Sequence, residues 1–491
     1  MPGPARPASP STVVAVGAAT AVAALSLPLG QVGVGWLVTA VAGAIALLLA
    51  RPAASTIPVL VPRTTAPVRR DRPVWAAATV ALLGVGTFRA AGWLFALCLV
   101  TATITFALAI GGGRSMRAIA TTYLMAPAAI LRSAPWLARG LARMRRAGGG
   151  PAPVRIVGTL AVSVLLLVVF GLLFASASPA FADLIANILP SVRPDGVVRW
   201  VVVCAFTAPV LGGAAFLRAA PPNLTDLDRT EGRTVSRLEW AVPLGLLTLL
   251  FAMFVAVQLA VLFGGASHVR GTAGLTYAEY ARGGFWQLCF VTGLTLVVLA
   301  GAARWAPRRA AGDRAVFRAV LGTLTVLTLV IVASALVRMQ VYIDTYGLTR
   351  LRLLVACCEV WFGVILLLVL VAGIRIRAPW LPRAAIGAGV LALLGLAVAN
   401  PDLLIARNQV DRPADRIDVG YLADLSLDAV PAIDDLADPV DRTCVLYQLS
   451  QNRGEDGWQT WNLGRATALT LIGDHPTPIN PGRCLPERYG Y

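Results

Sequence analysis

The sequence predicts an all-α fold: a polytopic transmembrane helical bundle of about eleven spans, followed by a small α-helical extracytoplasmic C-terminal cap. Three observations lead there. The 491 residues have a mean hydropathy of +0.73, with 57% hydrophobic and only 14% charged residues, where a soluble domain carries about a quarter charged. The apolar residues lie in continuous runs near the ~20 residues a helix needs to cross a bilayer, without the alternation of barrel strands. After residue 399 the runs stop and the charge changes sign. Residues 1–399 hold 34 arginines against 11 acids, and residues 400–491 hold 8 against 14. The division is therefore a transmembrane domain, 1–399, and an acidic helical tail, 400–491.

The apolar runs fall at 12–29, 31–50, 73–88, 90–110, 156–175, 197–217, 240–263, 285–303, 319–337, 352–373 and 385–399. Lipid leaves no water for the backbone, so each run has to close its own hydrogen bonds as a helix. Pro28 and Gly30 mark a tight turn between the first two. Run 12–29 reads as a retained anchor, because Arg6 is the one arginine before it and no small-residue cleavage site precedes the next run.

All 42 basic residues are arginine, which points to a GC-rich, actinobacterial-type coding sequence and carries no function. The net charge of +17 does not indicate nucleic acid, because the excess sits in short loops. With the N-terminus inside, the inner segments hold 26 arginines and the outer loops hold 8. That asymmetry predicts a bacterial cytoplasmic membrane protein with a cytoplasmic N-terminus and an extracytoplasmic tail.

Residues 111–150 form the longest inner connection. Glycine triplets at 111–113 and 148–150 read as hinges, since no Gly-Lys-Ser/Thr follows to make a phosphate loop. Between them Leu124, Ile130, Leu131, Trp136, Leu137 and Leu141 alternate with Arg132, Arg139, Arg143, Arg145 and Arg146. This is the pattern of an interfacial helix, with 114–146 contacting anionic lipid of the inner leaflet; the alternative is an ordinary basic loop. In the tail, Leu422, Leu425, Leu427, Val430, Leu436, Val445, Leu446 and Leu449 recur at near-helical spacing, and prolines cut the segment into short pieces. Trp458 and Trp461 are suited to seat it at the membrane interface.

Chemistry-bearing residues are few. His268 and His475 lack neighbours at metal-ligand spacing, so no metal and no cofactor are expected. Cys98, Cys204, Cys289, Cys357 and Cys358 lie within spans and read as small apolar residues. Cys444 and Cys484, alone in the tail, are candidates for a disulfide on an oxidising face. Glu359 is the most informative residue. It lies roughly 10 Å below the outer end of its span, where a carboxylate has to be paired, protonated or hydrated. Arg338 and Arg352 are its expected partners. The functional reading is an ion, proton or headgroup site; the structural one is an ion pair locking two helices. Outer-loop candidates for the same site are Glu279, Tyr280, Arg282, Asp344 and Tyr346.

Several outer stretches carry a resemblance. They are 276–286 (TYAEYARGGFW), 342–352 (YIDTYGLTRLR), Glu359-Val360-Trp361, Asn400-Pro401-Asp402 with Asn408 and Arg412, 418–431 (DVGYLADLSLDAVP) and 458–462 (WQTWN). Together they resemble a bacterial membrane-protein family known as domain of unknown function 4173, with relatives numbered 4153, over about 157–462. Where that family has Ala-Asp-Pro after the fifth span, this chain has Ala177-Ser178-Pro179, so no acid serves there. The resemblance implies a polytopic membrane protein of no assigned activity, with any site on or just beneath the outer face.

Two functional readings follow. One is a transporter, channel or flippase with a path near Glu359. The other is a non-enzymatic envelope scaffold or sensor whose tail, 400–491, docks an envelope partner. An enzyme acting on lipid-linked sugars is disfavoured, because the first outer loop, about 29–31, lacks the acid such enzymes place there. The tail disulfide is testable directly: in non-reduced protein Cys444 and Cys484 are expected to resist alkylation until a reductant is added, and full alkylation beforehand excludes the bridge.

Overall fold

The computed structural model describes residues 6–50, 71–147, 194–221, 235–273, 285–307, 310–375, 378–451 and 457–473, with a few isolated positions between them. Span 156–175 and the loop carrying Glu279, Tyr280 and Arg282 lie almost wholly outside the described residues, as does Cys484. Among the described residues every regular element is helical. Seven helices are long and apolar enough to cross a membrane, and Pro10–Ser26, Val34–Leu49 and Arg72–Phe88 are shorter apolar helices. Together they coincide with every expected span except 156–175.

The chain divides into two compact units. The first comprises Met1–Gly113, Arg117–Leu224 and Arg453–Ala466; the second comprises Thr225–Asn452 with Arg114–Met116 and Thr467–Tyr491. In the first unit lie α1 (Pro10–Ser26), α2 (Val34–Leu49), α3 (Arg72–Phe88), α4 (Gly92–Gly111), α5 (Met116–Leu124), α6 (Ala126–Ala147) and α7 (Pro194–Ala219). Helix α1 starts where the Ser9 hydroxyl accepts from the Thr12 amide, with Pro10 at the first helical position. Helix α4 ends at Gly112 and Gly113, whose φ of 77° and 96° only glycine adopts without strain. Hydroxyls inside the helices bond back to carbonyls one turn earlier, as Thr20 does to Val16, or pair across helices. Ser26 meets Thr39 at 3.0 Å, and Thr79 meets Thr105 at 2.8 Å. Such pairs hold apolar helices together where the solvent offers no hydrophobic drive.

Residues 459–462 finish this unit. The Gln459 amide donates to the Leu25 carbonyl at the end of α1, at 2.7 Å. The Val34 amide at the start of α2 donates to the Trp461 carbonyl at 2.8 Å. The Asn462 amide donates to the Gly86 carbonyl in the last turn of α3, at 2.7 Å. These are the backbone groups that a helix cannot satisfy internally. Arg465 holds the strip in place by donating to the Thr460 carbonyl at 2.7 Å. Trp458 and Trp461 stay half-exposed at its rim.

The second unit contains α8 (Arg237–Ala273), α9 (Phe285–Trp305), α10 (Ala311–Tyr346), α11 (Arg350–Arg375) and α12 (Leu381–Ala399). Helix α10 packs against α8, α9 and α11, and its Leu324, Ile331 and Ala335 are fully buried with Leu366 of α11. At 36 residues it is about 54 Å long, so its polar last turns outreach the ~30 Å hydrocarbon layer. Short helices follow: α13 (Pro401–Val410), α14 (Val419–Ala423), α15 (Val430–Ile433) and α16 (Pro439–Gln451). The apolar residues that spacing singles out there, from Leu422 to Leu449, are all buried. Helix α17 (Leu463–Gly473) follows the strip, with Asn462 capping its first turn through the Arg465 amide at 3.0 Å.

Asn462→Leu should therefore leave the Gly86 carbonyl orphaned, at about 1–3 kcal/mol, and remove a helix cap worth about 1 kcal/mol. Equilibrium unfolding in mixed micelles reads the loss.

Candidate functional site

Glu359 lies on the buried face of α11. Val355, one turn earlier on that face, packs on Met339 of α10, with Cys289 of α9 and Tyr342 alongside. The carboxylate is 0% exposed, and among the described residues neither oxygen accepts from an amide, a hydroxyl or a charged donor. Beside it stands the Cys289 thiol of α9, a weak hydrogen-bond donor. The two expected partners do other work. Arg338 donates to Gln258 of α8, which ties α10 to α8. Arg352 donates to the carbonyls of Tyr346, at 2.9 Å, and Gly347, with its guanidinium 4.3 Å above the Tyr342 ring. The expected ion pair is thus corrected: the Arg338 guanidinium is taken up by a side-chain amide of α8, and the Arg352 guanidinium by the carbonyls that end α10 and the Tyr342 ring.

A second cluster sits at the turn between α10 and α11. Gly347 has φ +80°, and a side chain there would strike Arg412 and Gln409. The Leu348 amide donates to Asn408 at 2.7 Å, and Gln409 donates to the Leu348 carbonyl at 3.1 Å. Arg412 donates to the Thr345 carbonyl at 2.7 Å, so two arginines complete the C-terminal end of α10. The Arg350 amide donates to the Tyr421 hydroxyl at 2.7 Å. Its guanidinium forks onto both oxygens of Asp402, at 3.1 and 2.7 Å, and the Ser426 amide adds a third donor at 2.9 Å. Asp402 is fully buried. Burial alone would raise its pKa. The Arg350 hydrogen bonds and charge, with Ser426, outweigh that and hold it below the ordinary aspartate value.

These two clusters differ in kind. Asp402 is saturated with donors and acts as a latch, binding the 347–350 turn to the tail. Glu359 is buried with, among the described residues, only the weak Cys289 thiol beside its carboxylate. Of the other candidates, Asp344 is exposed and accepts from Gln340 at 3.0 Å, and Tyr346 stacks edge-on to Tyr342 at 5.0 Å; both lie in the last turn of α10. Glu279, Tyr280 and Arg282 fall outside the described residues. Cys444 is buried and disulfide-bonded. Among the described residues no group of three His, Cys, Asp or Glu side chains is placed to hold a metal. Sequence reasoning passed over Asp402 and Cys289 as site members. The signal for Asp402 was present: an acid in the first turn after an apolar span, with Arg350 unassigned.

Apolar helices of this length, with threonine hydroxyls returned to the backbone and large apolar side chains facing outward, define a multi-pass α-helical membrane protein. A family model matches residues 77–436, and the chain belongs to that family: domain of unknown function 4153 (DUF4153). It is the second of the two families the sequence resembles. No curated protein and no solved structure matches the chain. The matched segment runs from α3 to just past α15, so it contains both Glu359 and the whole latch.

The latch makes a pH prediction. A carboxyl whose folded pKa is depressed stabilises fully above its unfolded value, about 3.9, and loses that stabilisation as pH falls through the lower folded value. Asp402→Asn should lower stability at neutral pH by on the order of 3 kcal/mol. The gap to the wild type should close on acidification below about pH 4, as read by unfolding midpoints across pH.

Proposed function

We propose that this protein is a transport-type membrane protein of the bacterial cytoplasmic membrane, with Glu359 as a proton-accepting group in the outer half of its second unit. The observation that carries the reading is the full burial of Glu359, with the weakly donating Cys289 thiol beside it and, among the described residues, no stronger donor on either oxygen. An isolated charge in such surroundings costs far more than a neutral group. The position therefore favours a carboxyl that gains and loses a proton as its surroundings open and close. A calcium- or magnesium-type ion takes about six or more oxygen ligands, more than the described neighbours supply. The topology proposed with it has eleven spans, a cytoplasmic N-terminus and an extracytoplasmic tail fastened by a Cys444–Cys484 bridge. The 26-to-8 distribution of arginines supports that orientation.

An envelope scaffold or sensor is the second reading. It is favoured by the latch, which joins tail helices to a turn between two spans and so could carry a docking event at 400–491 into the bundle.

Cys289 is the natural reporter, because its thiol stands beside Glu359, whereas Cys358 points outward from the bundle. In a variant retaining Cys289 and the tail pair, a small membrane-impermeant thiol reagent applied to intact cells is expected to label Cys289. In proteoliposomes with an imposed potential, wild-type protein should pass protons and Glu359→Gln should reduce that flux at least tenfold. No labelling and no flux, in protein shown to be folded, would end the transport reading and leave the scaffold.

A further inference from the structure

We propose that α6 is a membrane-surface helix that selects anionic phospholipid headgroups, independently of whatever passes Glu359. Its residues divide into three stripes. Ala129, Ser133, Trp136 and Gly140 recur at helical spacing and are buried. Trp136 fixes this face: its indole donates to the Arg6 carbonyl at 3.0 Å, and its ring meets Phe216 edge-on at 5.8 Å. Arg6 precedes α1 and Phe216 lies in the last turns of α7, so α6 lies at the end of the first unit where α1 begins and α7 finishes. That is the end opposite residues 459–462.

The second stripe is Arg132, Arg139 and Arg143, all exposed. The third is Leu131, Ala138 and Ala142, also exposed, with Leu131 at 76%. Leu124, at the end of α5, is equally open at 75%. Exposed leucines beside exposed arginines fit neither a helix in water nor one in the bilayer core. They fit a helix lying in the headgroup layer, with apolar side chains turned to the acyl chains and guanidinium groups at phosphate level. Residues 111–150 hold seven arginines and no acid. A zwitterionic surface gives that charge no net partner, whereas an anionic one gives each arginine on the order of a fivefold gain in binding, with fork-shaped contacts to phosphate oxygens.

The test uses the full chain reconstituted in phosphatidylcholine nanodiscs containing a minor fraction of phosphatidylglycerol. The protein is then extracted gently, and the co-purifying lipid is measured by mass spectrometry. Wild-type protein should carry phosphatidylglycerol enriched several-fold over the bulk, and the enrichment should fall as salt is raised. The triple variant Arg132→Gln, Arg139→Gln, Arg143→Gln should lose it, and the corresponding triple lysine variant should keep it. Bulk-level phosphatidylglycerol on the wild type, or enrichment unchanged in the glutamine variant, overturns the proposal. Should the glutamine variant fail to fold, the wild-type salt titration decides alone: enrichment that persists at high salt overturns it.

Discussion

A polypeptide in lipid has to satisfy every backbone amide and carbonyl from within the protein, and this constraint shapes both units. Inside a span the helix does the work. At the ends it leaves four donors or four acceptors open, and side chains from distant sequence close them. In the first unit Gln459 and Asn462 take the open carbonyls of α1 and α3, while the Trp461 carbonyl takes an open amide of α2. In the second, Arg412 and Arg352 take the last carbonyls of α10, and Asn408 and Gln409 hold the turn that follows. Asn408, Gln409, Arg412, Gln459 and Asn462 of the tail are thus spent on helix ends and the turn between α10 and α11.

Against that background Glu359 stands out for lacking such work. Asp402 shows what a buried carboxylate looks like when its role is to hold parts together: two bonds from one guanidinium, a backbone amide and no exposure. Glu359 has equal burial and none of those donors. A saturated carboxylate has little to gain from a proton. An unsatisfied one among apolar side chains exchanges a large solvation penalty for a neutral group whenever it takes one up.

The spans were legible because hydropathy and length are properties of contiguous residues. The place of Glu359 within an apolar helix was legible for the same reason, since position within a run gives distance along a helix. Its surroundings were not. Arg338 and Arg352 were close in sequence to the right place, but sequence spacing does not say that Gln258 faces Arg338 from another helix or that Tyr342 draws the Arg352 guanidinium. The stretches that mark the family, Tyr-Gly-Leu-Thr-Arg at 346–350, Asn-Pro-Asp at 400–402 and Trp461-Asn462, looked like site material. Much of their polarity serves as fastening. That use depends on partners 24 to 427 residues away, a separation no local pattern encodes.

The same separation has a consequence for how the protein is made. Asn462 closes a carbonyl at Gly86, 376 residues earlier. At ordinary rates of synthesis that interval lasts roughly 20 to 75 s. Throughout it, these end groups of α1, α2 and α3 await a strip not yet translated. Completion of α1, α2 and α3 therefore waits on residues 459–462, so the maturity of the first unit reports whether that strip has been made.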